Sequence, residues 1–296
     1  MVVETDNVES KVRRVVANIR NLPTPPIVFQ QIQKVINDPN VSAGSIAAVL
    51  SEDPAMSIKV LKLTNSAFYG LSREVDSVKQ AVLIVGLEAI KNLVLSASVL
   101  DMFKGKNIDE DFNDKFWRHS LATGVACRML AKKIKHRGFL DADPAFSAGL
   151  LHDIGKLILI CFLPEEAAAY RTMREADKHS PDHQVEERAI GFTHAQIGGV
   201  LAETWKLPGK LAEAITFHHK PQLAEDENTV AYFVHLGNYL AKRTFLDPDE
   251  QYLVGIVEPG VLEFLGLQES DLDSYAEHLR EEYLKAETFM QMVGLK

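Results

Sequence analysis

The stretch Ala148-Gly-Leu-Leu-His-Asp-Ile-Gly-Lys156 sets an adjacent His152-Asp153 pair inside an apolar run. The pair supplies a neutral nitrogen and an anionic oxygen from one helix turn, a donor set that suits Fe, Mn, Ni or Zn. Gly155 then offers close backbone approach, and Lys156 adds a cation able to hold a phosphate. Apolar residues continue on both sides, so the stretch reads as part of a core helix over about Pro144–Phe162. Working outward, His119 in Trp117-Arg-His-Ser120, His194 in Phe192-Thr-His-Ala195 and the adjacent His218-His219 lie where they could converge on this pair. Thr193 and Gln196 make a capping-box pattern that puts His194 at a helix N-terminus. There the helix dipole disfavours imidazolium and favours the neutral, metal-binding form.

Taken singly, each histidine reads more readily as a satisfied core residue than as a ligand. His136, His179, His183, His235 and His278 lie in polar or unpatterned contexts and read as surface or structural. Trp117 and Trp205 read as core packing.

The rest of the chain is patterned for helices. Strand alternation bounded by Asn-Gly or Asp-Gly turns is absent, while helix starts recur. Pro25-Pro26 can open a helix to about Asn37, closed by Asp38-Pro39-Asn40. Ser42 or Ser45 can cap the next, Asp53-Pro54 opens another, and Ser77 with Gln80 forms a capping box. The segment from Val82 to about Phe103 reads as a central core helix broken near Gly86, and Asn65 to Gly70 as a helix end and its turn. Further helices are expected over about Phe112–Lys135, Glu165–Lys178, Thr193–Trp205, Pro208–Phe217 and Thr229–Arg243. From Ser270 to Val293, Leu272, Ala276, Leu279, Tyr283, Ala286, Met290 and Val293 form a narrow apolar stripe. It can pack back onto the body or join a second copy as a homodimer. The fold class is therefore all-α, with a polar boundary at Lys104–Asp111. The division is 1–106, an N-terminal helical subdomain; 107–245, a second helical part; and 246–296, an acidic extension.

Composition agrees with a globular chain: 296 residues, 46% hydrophobic and 25% charged, enough for one large core or two smaller ones. The net charge of -9 argues against a DNA-binding role. Residues 247–296 carry 12 acidic and three basic side chains, so the whole excess lies in the tail. A solvated acidic face or a docking surface for a basic partner would account for it. The longest apolar runs, Ala81–Leu87 and Leu157–Leu163, are seven residues each, against the ~20 that span a bilayer. The chain opens without a signal-peptide pattern, and Cys127 and Cys161 sit in apolar stretches where a free thiol behaves as a small hydrophobe. The expected compartment is the cytoplasm, with no membrane contact.

His, then His-Asp, then His, then His-His on consecutive helices resembles the HD superfamily of metal-dependent phosphohydrolases and its HD-GYP relatives. The chain is more similar still to the HDOD proteins, a bacterial signalling branch. The resemblance runs from about Arg20 to Arg243. It is carried by Leu22-Pro-Thr-Pro-Pro26 with Val60-Leu-Lys-Leu-Thr-Asn-Ser-Ala-Phe-Tyr-Gly70, by Trp117-Arg-His-Ser120 with Ala148–Lys156, and by Gly191-Phe-Thr-His-Ala-Gln-Ile-Gly198 with Trp205-Lys-Leu-Pro208 and His218-His219. It implies an HD-domain-like helix bundle behind an N-terminal helical subdomain. The metal ligands it implies are His119, His152, Asp153, His194, His218 and His219, with Lys156 on a phosphate.

The sequence also departs from the superfamily. Asn238 stands where the closing Asp ligand is expected, Lys115 where the HD-GYP branch has a Glu, and Lys220-Pro221 follows the double histidine in place of the Gly-Tyr-Pro loop of cyclic-di-GMP phosphodiesterases. Two lost negative charges weaken a dinuclear site. The leading expectation is a non-catalytic regulatory scaffold that acts on a separate signalling protein. Such a scaffold either retains a divalent transition metal or holds its histidines without one, and the groove between the two helical parts would be the ligand or partner site. The competing expectation is a metal-dependent phosphohydrolase acting on a nucleotide or cyclic dinucleotide. A third is an interaction scaffold whose histidines are core residues.

Overall fold

Helix-start chemistry sets three of the helices in the first part. The computed structural model describes residues 3–20, 22, 24, 27–104, 106, 108–134, 142–224, 229–246, 250, 253–286 and 291, with side chains from residue 8 onward. Among them every regular element is helical. The first part comprises α1 (Val3–Ala17), α2 (Ile27–Ile36), α3 (Ala43–Ser51), α4 (Pro54–Thr64), α5 (Val78–Val85) and α6 (Leu87–Phe103). Pro25 and Pro26, expected to open α2, lie outside the described residues. Ser42 caps α3 by accepting from the Ser45 N–H, and Asp53 caps α4 by accepting from Met56, with Pro54 in the first turn. Ser77 accepts from the Gln80 N–H as expected. Gln80 Oε1, however, accepts from Asp76 N, so the reciprocal bond closes one residue before the cap. Gly86, at φ +93°, makes the anticipated break, and the axes of α5 and α6 differ by 117°.

The second part comprises α7 (Glu110–Lys133), α8 (Ala142–Leu151), α9 (Ile154–Phe162), α10 (Pro164–Ala176), α11 (Asp182–Ile190), α12 (His194–Thr204), α13 (Gly209–Phe217) and α14 (Thr229–Phe245). After these come α15 (Val261–Leu265) and α16 (Asp271–Lys285). The helix expected over Pro144–Phe162 is two helices: the chain turns at His152-Asp153, between α8 and α9. The apolar periodicity runs through this turn, which is why the break is invisible in it. Helix α7 is the spine, buried between α8 and α14. A Cβ on Gly149 or Gly237 would lie 2.8 or 2.7 Å from Cys127 Sγ, so α8 and α14 close on α7 only because both positions are glycine. Both cysteines are free. Burial pushes the Cys127 thiol well above its ordinary range.

The two parts share one connected apolar core, from Val12 to Ala286. Helix α6 packs on α8, and α1 crosses to α12, where Lys11 donates to the Ile190 carbonyl and Arg13 pairs with Glu203. The stretch Asn65–Gly70 is a helix end, as read, with Gly70 at φ +60°, and it is also a joint. The buried Arg128 guanidinium of α7 lies 4.0 Å from the Phe68 ring centroid and donates to the Phe68 carbonyl. Its Nε is 3.6 Å from Asp143, which accepts a hydrogen bond from the Tyr69 hydroxyl. Trp117 and Trp205 are buried in the core. Helix α16 packs back on α7 and α14 through Leu272, Leu279 and Ala286, while Met290 and Val293 lie outside the described residues. By length and composition one described stretch, Ala142–Phe162, could cross a membrane, and most of it is buried in the fold.

Candidate metal centre

The break between α8 and α9 aims the His152 and Asp153 side chains inward. Asp153 stands at the start of α9, yet its side chain accepts no capping bond, which leaves the carboxylate for other partners. A Cβ on Gly155 would fall 1.9 Å from the His194 carbonyl oxygen. Only glycine lets the first turns of α9 and α12 touch there, and that contact brings His194 to Asp153. The capping box of Thr193 and Gln196 is formed, as read, and fixes His194 as the first residue of α12. His119 comes from the middle of α7, and His218-His219 from the end of α13.

All six expected residues converge. Asp153 Oδ1 lies 3.0 Å from His194 Nε2 and 3.6 Å from His218 Nε2. Asp153 Oδ2 lies 3.4 Å from His152 Nε2 and 3.7 Å from His119 Nε2. His194 Nε2 is 3.4 Å from His218 Nε2 and 3.1 Å from His219 Nε2. Donors that share one ion at ~2.0–2.1 Å stand about this far apart. His194, His218 and His219 form one group able to hold a metal, and His119, His152 and Asp153 form another.

The outer nitrogens of His152, His194 and His218 are anchored, and the inner Nε2 atoms of His119 and His152 are not. His152 Nδ1 donates to the Gly149 carbonyl, His218 Nδ1 to the Ile215 carbonyl, and His194 Nδ1 to Glu186, all at 2.7 Å. At His152 and His218 the bond fixes the tautomer that turns an Nε2 lone pair inward, the usual support of metal-ligating histidine, whereas His194 lies between two carboxylates. His119 Nε2, His152 Nε2, Asp153 Oδ1 and Asn238 Oδ1 are buried without hydrogen-bond partners. Inward lone pairs on neutral imidazoles beside one carboxylate are the donor chemistry that fits a transition-metal ion.

Electrostatics divide the histidines. Burial pushes His119, His218 and His219 well below the ordinary imidazole range and His152 down to about 4. His194 goes the other way. Burial would lower it, but the carboxylates of Glu186 and Asp153 outweigh burial and raise it to about 9. The neutral form expected from the helix dipole is thus overruled by tertiary charge, which lies closer than the summed peptide dipoles. Burial disfavours the Asp153 carboxylate as well, yet the Lys156 ammonium at 2.9 Å and its histidine neighbours keep it ionised.

Helix α11, which the sequence reading does not anticipate, supplies a wall. Its Asp182, His183 and Glu186 share one face. Glu186, buried, accepts from both Nδ1 and the backbone N–H of His194. His183, read as surface or structural, stacks on His219 with ring centroids 4.0 Å apart. Asp182 pairs with Lys156 at 3.2 Å. His235, likewise read as surface or structural, is buried: its Nδ1 donates to the His218 carbonyl and its Nε2 accepts from Glu258 N. Lys242, one turn beyond the buried Asn238, is half-buried and within electrostatic reach of Asp153, Lys156, Asp182 and Arg174. Ligand-type residues four apart, as in Asp182/Glu186 and Asn238/Lys242, are the signal that could have found these walls. Lys115 is exposed and paired with Asp111, so it does not repel cations at the centre. Every residue of this network lies between 119 and 258. His136 is outside the described residues.

Comparison with known proteins follows this geometry. The HDOD domain family matches residues 22–221. An uncharacterized protein of Treponema pallidum (strain Nichols) is 29% identical over 235 residues, which cover 79% of this chain and 44% of that protein. The chain thus spans less than half the length of this curated relative. A crystal structure of a candidate signal transduction protein from Marinobacter aquaeolei VT8 has a TM-score of 0.76 at 23% identity, covering 98% of this chain and 66% of that one. One of a candidate phosphohydrolase from Shewanella amazonensis SB2B has a TM-score of 0.71 at 24% identity, covering 97% of each. At these identities the two structures show a shared all-helical fold. Because the family match takes in the His-Asp break, the start of α12 and the double histidine together, the chain belongs to the HDOD domain family.

Proposed function

We propose that this chain is a regulatory module of bacterial signal transduction, acting in the cytoplasm on a separate signalling protein, that keeps a divalent transition-metal centre without efficient hydrolysis. His119, His152, Asp153, His194, His218 and His219 would hold the metal, with Asn238 as a neutral oxygen donor and Fe, Mn, Ni or Zn as the fitting ions. The carrying observation is the set of inward donor atoms without a hydrogen-bond partner, Nε2 of His119 and His152 and Oδ1 of Asn238, beside histidines anchored from behind at His152, His194 and His218. A bound dication would supply Lewis acidity and an activated water. Against turnover stands the charge count. Asp153 is the one carboxylate facing the centre, Glu186 is committed to His194, and Asn238 is neutral.

The second reading, a metal-dependent phosphohydrolase acting on a nucleotide or cyclic dinucleotide, is favoured by Lys156 beside Asp153. Elemental analysis of the purified protein, paired with phosphate-release assays, separates the two. The expected result is metal in the wild type and none in the His152→Ala/Asp153→Ala variant, with equally negligible release from both. Turnover that disappears with the metal would establish the hydrolase; no metal in the wild type would end both readings.

A further inference from the structure

The residue read as the phosphate contact is already occupied. Lys156 Nζ donates to Asp182 Oδ2 at 3.2 Å, and the Tyr170 hydroxyl donates to Asp182 Oδ1 at 3.0 Å. Arg174 Nε stands 3.6 Å from the same Oδ1, and Lys242 lies within electrostatic reach. An ammonium, a phenol and a guanidinium around two oxygens are the donors that recognise a phosphate, yet here they surround a carboxylate of the protein itself. The surroundings hold Asp182 in place. The Arg174 guanidinium also donates to the carbonyls of Asp177, Lys178 and Ser180, and Asp177 accepts from the backbone N–H groups of His179 and Ser180. The α10–α11 turn is therefore built to deliver Asp182, the first residue of α11, onto Lys156. The contact is open to water: the Asp182 side chain is 34% exposed and that of Lys156 18%.

We infer that Asp182 is an internal competitor for an anion site formed by Lys156, Tyr170, Arg174 and Lys242 beside the histidine centre, and that a phosphate-bearing ligand must displace or share it. The inference rests on the reading of Lys156 as facing a ligand phosphate, but not on metal occupancy. With Asp182 in place, the carboxylates of Asp153, Asp182 and Glu186 offset Lys156, Arg174 and Lys242, which leaves only the His194 imidazolium, itself enclosed by Glu186 and Asp153, to attract an incoming dianion. Removing Asp182 raises the balance by one positive charge and frees the donors of Lys156 and Tyr170 that it engages. A structural role and a competing role then differ in sign, since loss of a mere support weakens binding whereas loss of a competitor strengthens it.

The test is titration of metal-free protein with inorganic phosphate, followed by calorimetry. Asp182→Asn should bind phosphate ~10-fold or more tightly than the wild type, because a like charge no longer abuts the anion. Glu187→Gln, which removes an exposed carboxylate of α11 outside the cluster, should leave affinity unchanged, and Lys156→Met added to Asp182→Asn should abolish the gain. Asp182→Ser serves as the second variant. Should both fail to fold, the wild type decides: saturating phosphate must shift the carbon-13 resonance of the Asp182 carboxyl. Unchanged or weaker phosphate binding in folded variants, or an unmoved carboxyl resonance, overturns the inference. Because the protein is metal-free, failure to find metal in the elemental analysis would sink the metal centre and leave this result standing.

Discussion

The joint around Arg128 and the centre around Asp153 bury similar chemistry to opposite ends. At the joint, a cation on α7 meets the Phe68 ring, the Phe68 carbonyl and the Asp143 carboxylate, and the Tyr69 hydroxyl completes Asp143. The groups answer one another through charge and through the Phe68 and Tyr69 contacts, although Arg128 Nε, 3.6 Å from Asp143, makes no hydrogen bond of its own. At the centre the answering is done on the outside, by Gly149, Glu186 and Ile215, while the inner Nε2 atoms of His119 and His152 gain no hydrogen bond. A polar cluster that satisfies itself fastens two pieces of protein; one satisfied only from behind is shaped for something from outside.

The sharpest way to break the contrast is to remove the joint's cation. Arg128→Met should cost about 3 kcal/mol in urea unfolding, because Asp143 loses its charge partner in a half-buried setting. Metal content per folded chain should not change. A parallel loss of metal would mean that the two regions are not independent.

A second comparison uses pH in the metal-free protein. His152, held down to about 4, binds its proton more readily when unfolded, so stability should fall as pH drops from ~6.5 towards 4. His194, raised to about 9, holds its proton more tightly when folded. Its contribution is complete below ~6.5 and is lost as pH rises through about 9. Stability measured by denaturant at several pH values should peak near neutrality, and Glu186→Gln should flatten the alkaline limb. An alkaline limb unchanged by that substitution would contradict the assignment of the raised value to Glu186.

The smallest effect concerns the brace behind the double histidine. Glu258→Pro removes the N–H that His235 Nε2 accepts and should cost about 1 kcal/mol. Hydrogen exchange at residues 217–220 should quicken while α7 stays protected. Uniform loss of protection would show that His235 supports the whole fold instead of that turn.

What the sequence revealed depends on distance along the chain. The caps at Ser42, Asp53 and Thr193 join residues three apart, and local chemistry is enough to place them. The six converging residues were readable through a family pattern, because they sit in four short motifs, two of them adjacent pairs. The charge of His194 was not readable from its helix position, since Glu186 and Asp153 reach it only through tertiary packing. Nor was the grip of Asp182 on Lys156, which joins residues 26 apart across two helices. The break at His152-Asp153 escaped for a different reason: burial on every side erases the periodicity that would mark a turn.

The crossing of α1 onto α12 bears on which residues make a self-sufficient piece. The family match begins at residue 22 and ends at 221. A fragment cut to those limits would uncover the side of α12 that Val12 and Val16 help to bury, and would strip α7 of the α14 surface it packs against. It would also leave the histidines without Asn238, Lys242 and the His235 brace. The recognisable family segment and the smallest piece able to fold around the centre therefore have different ends, and the second is the longer of the two.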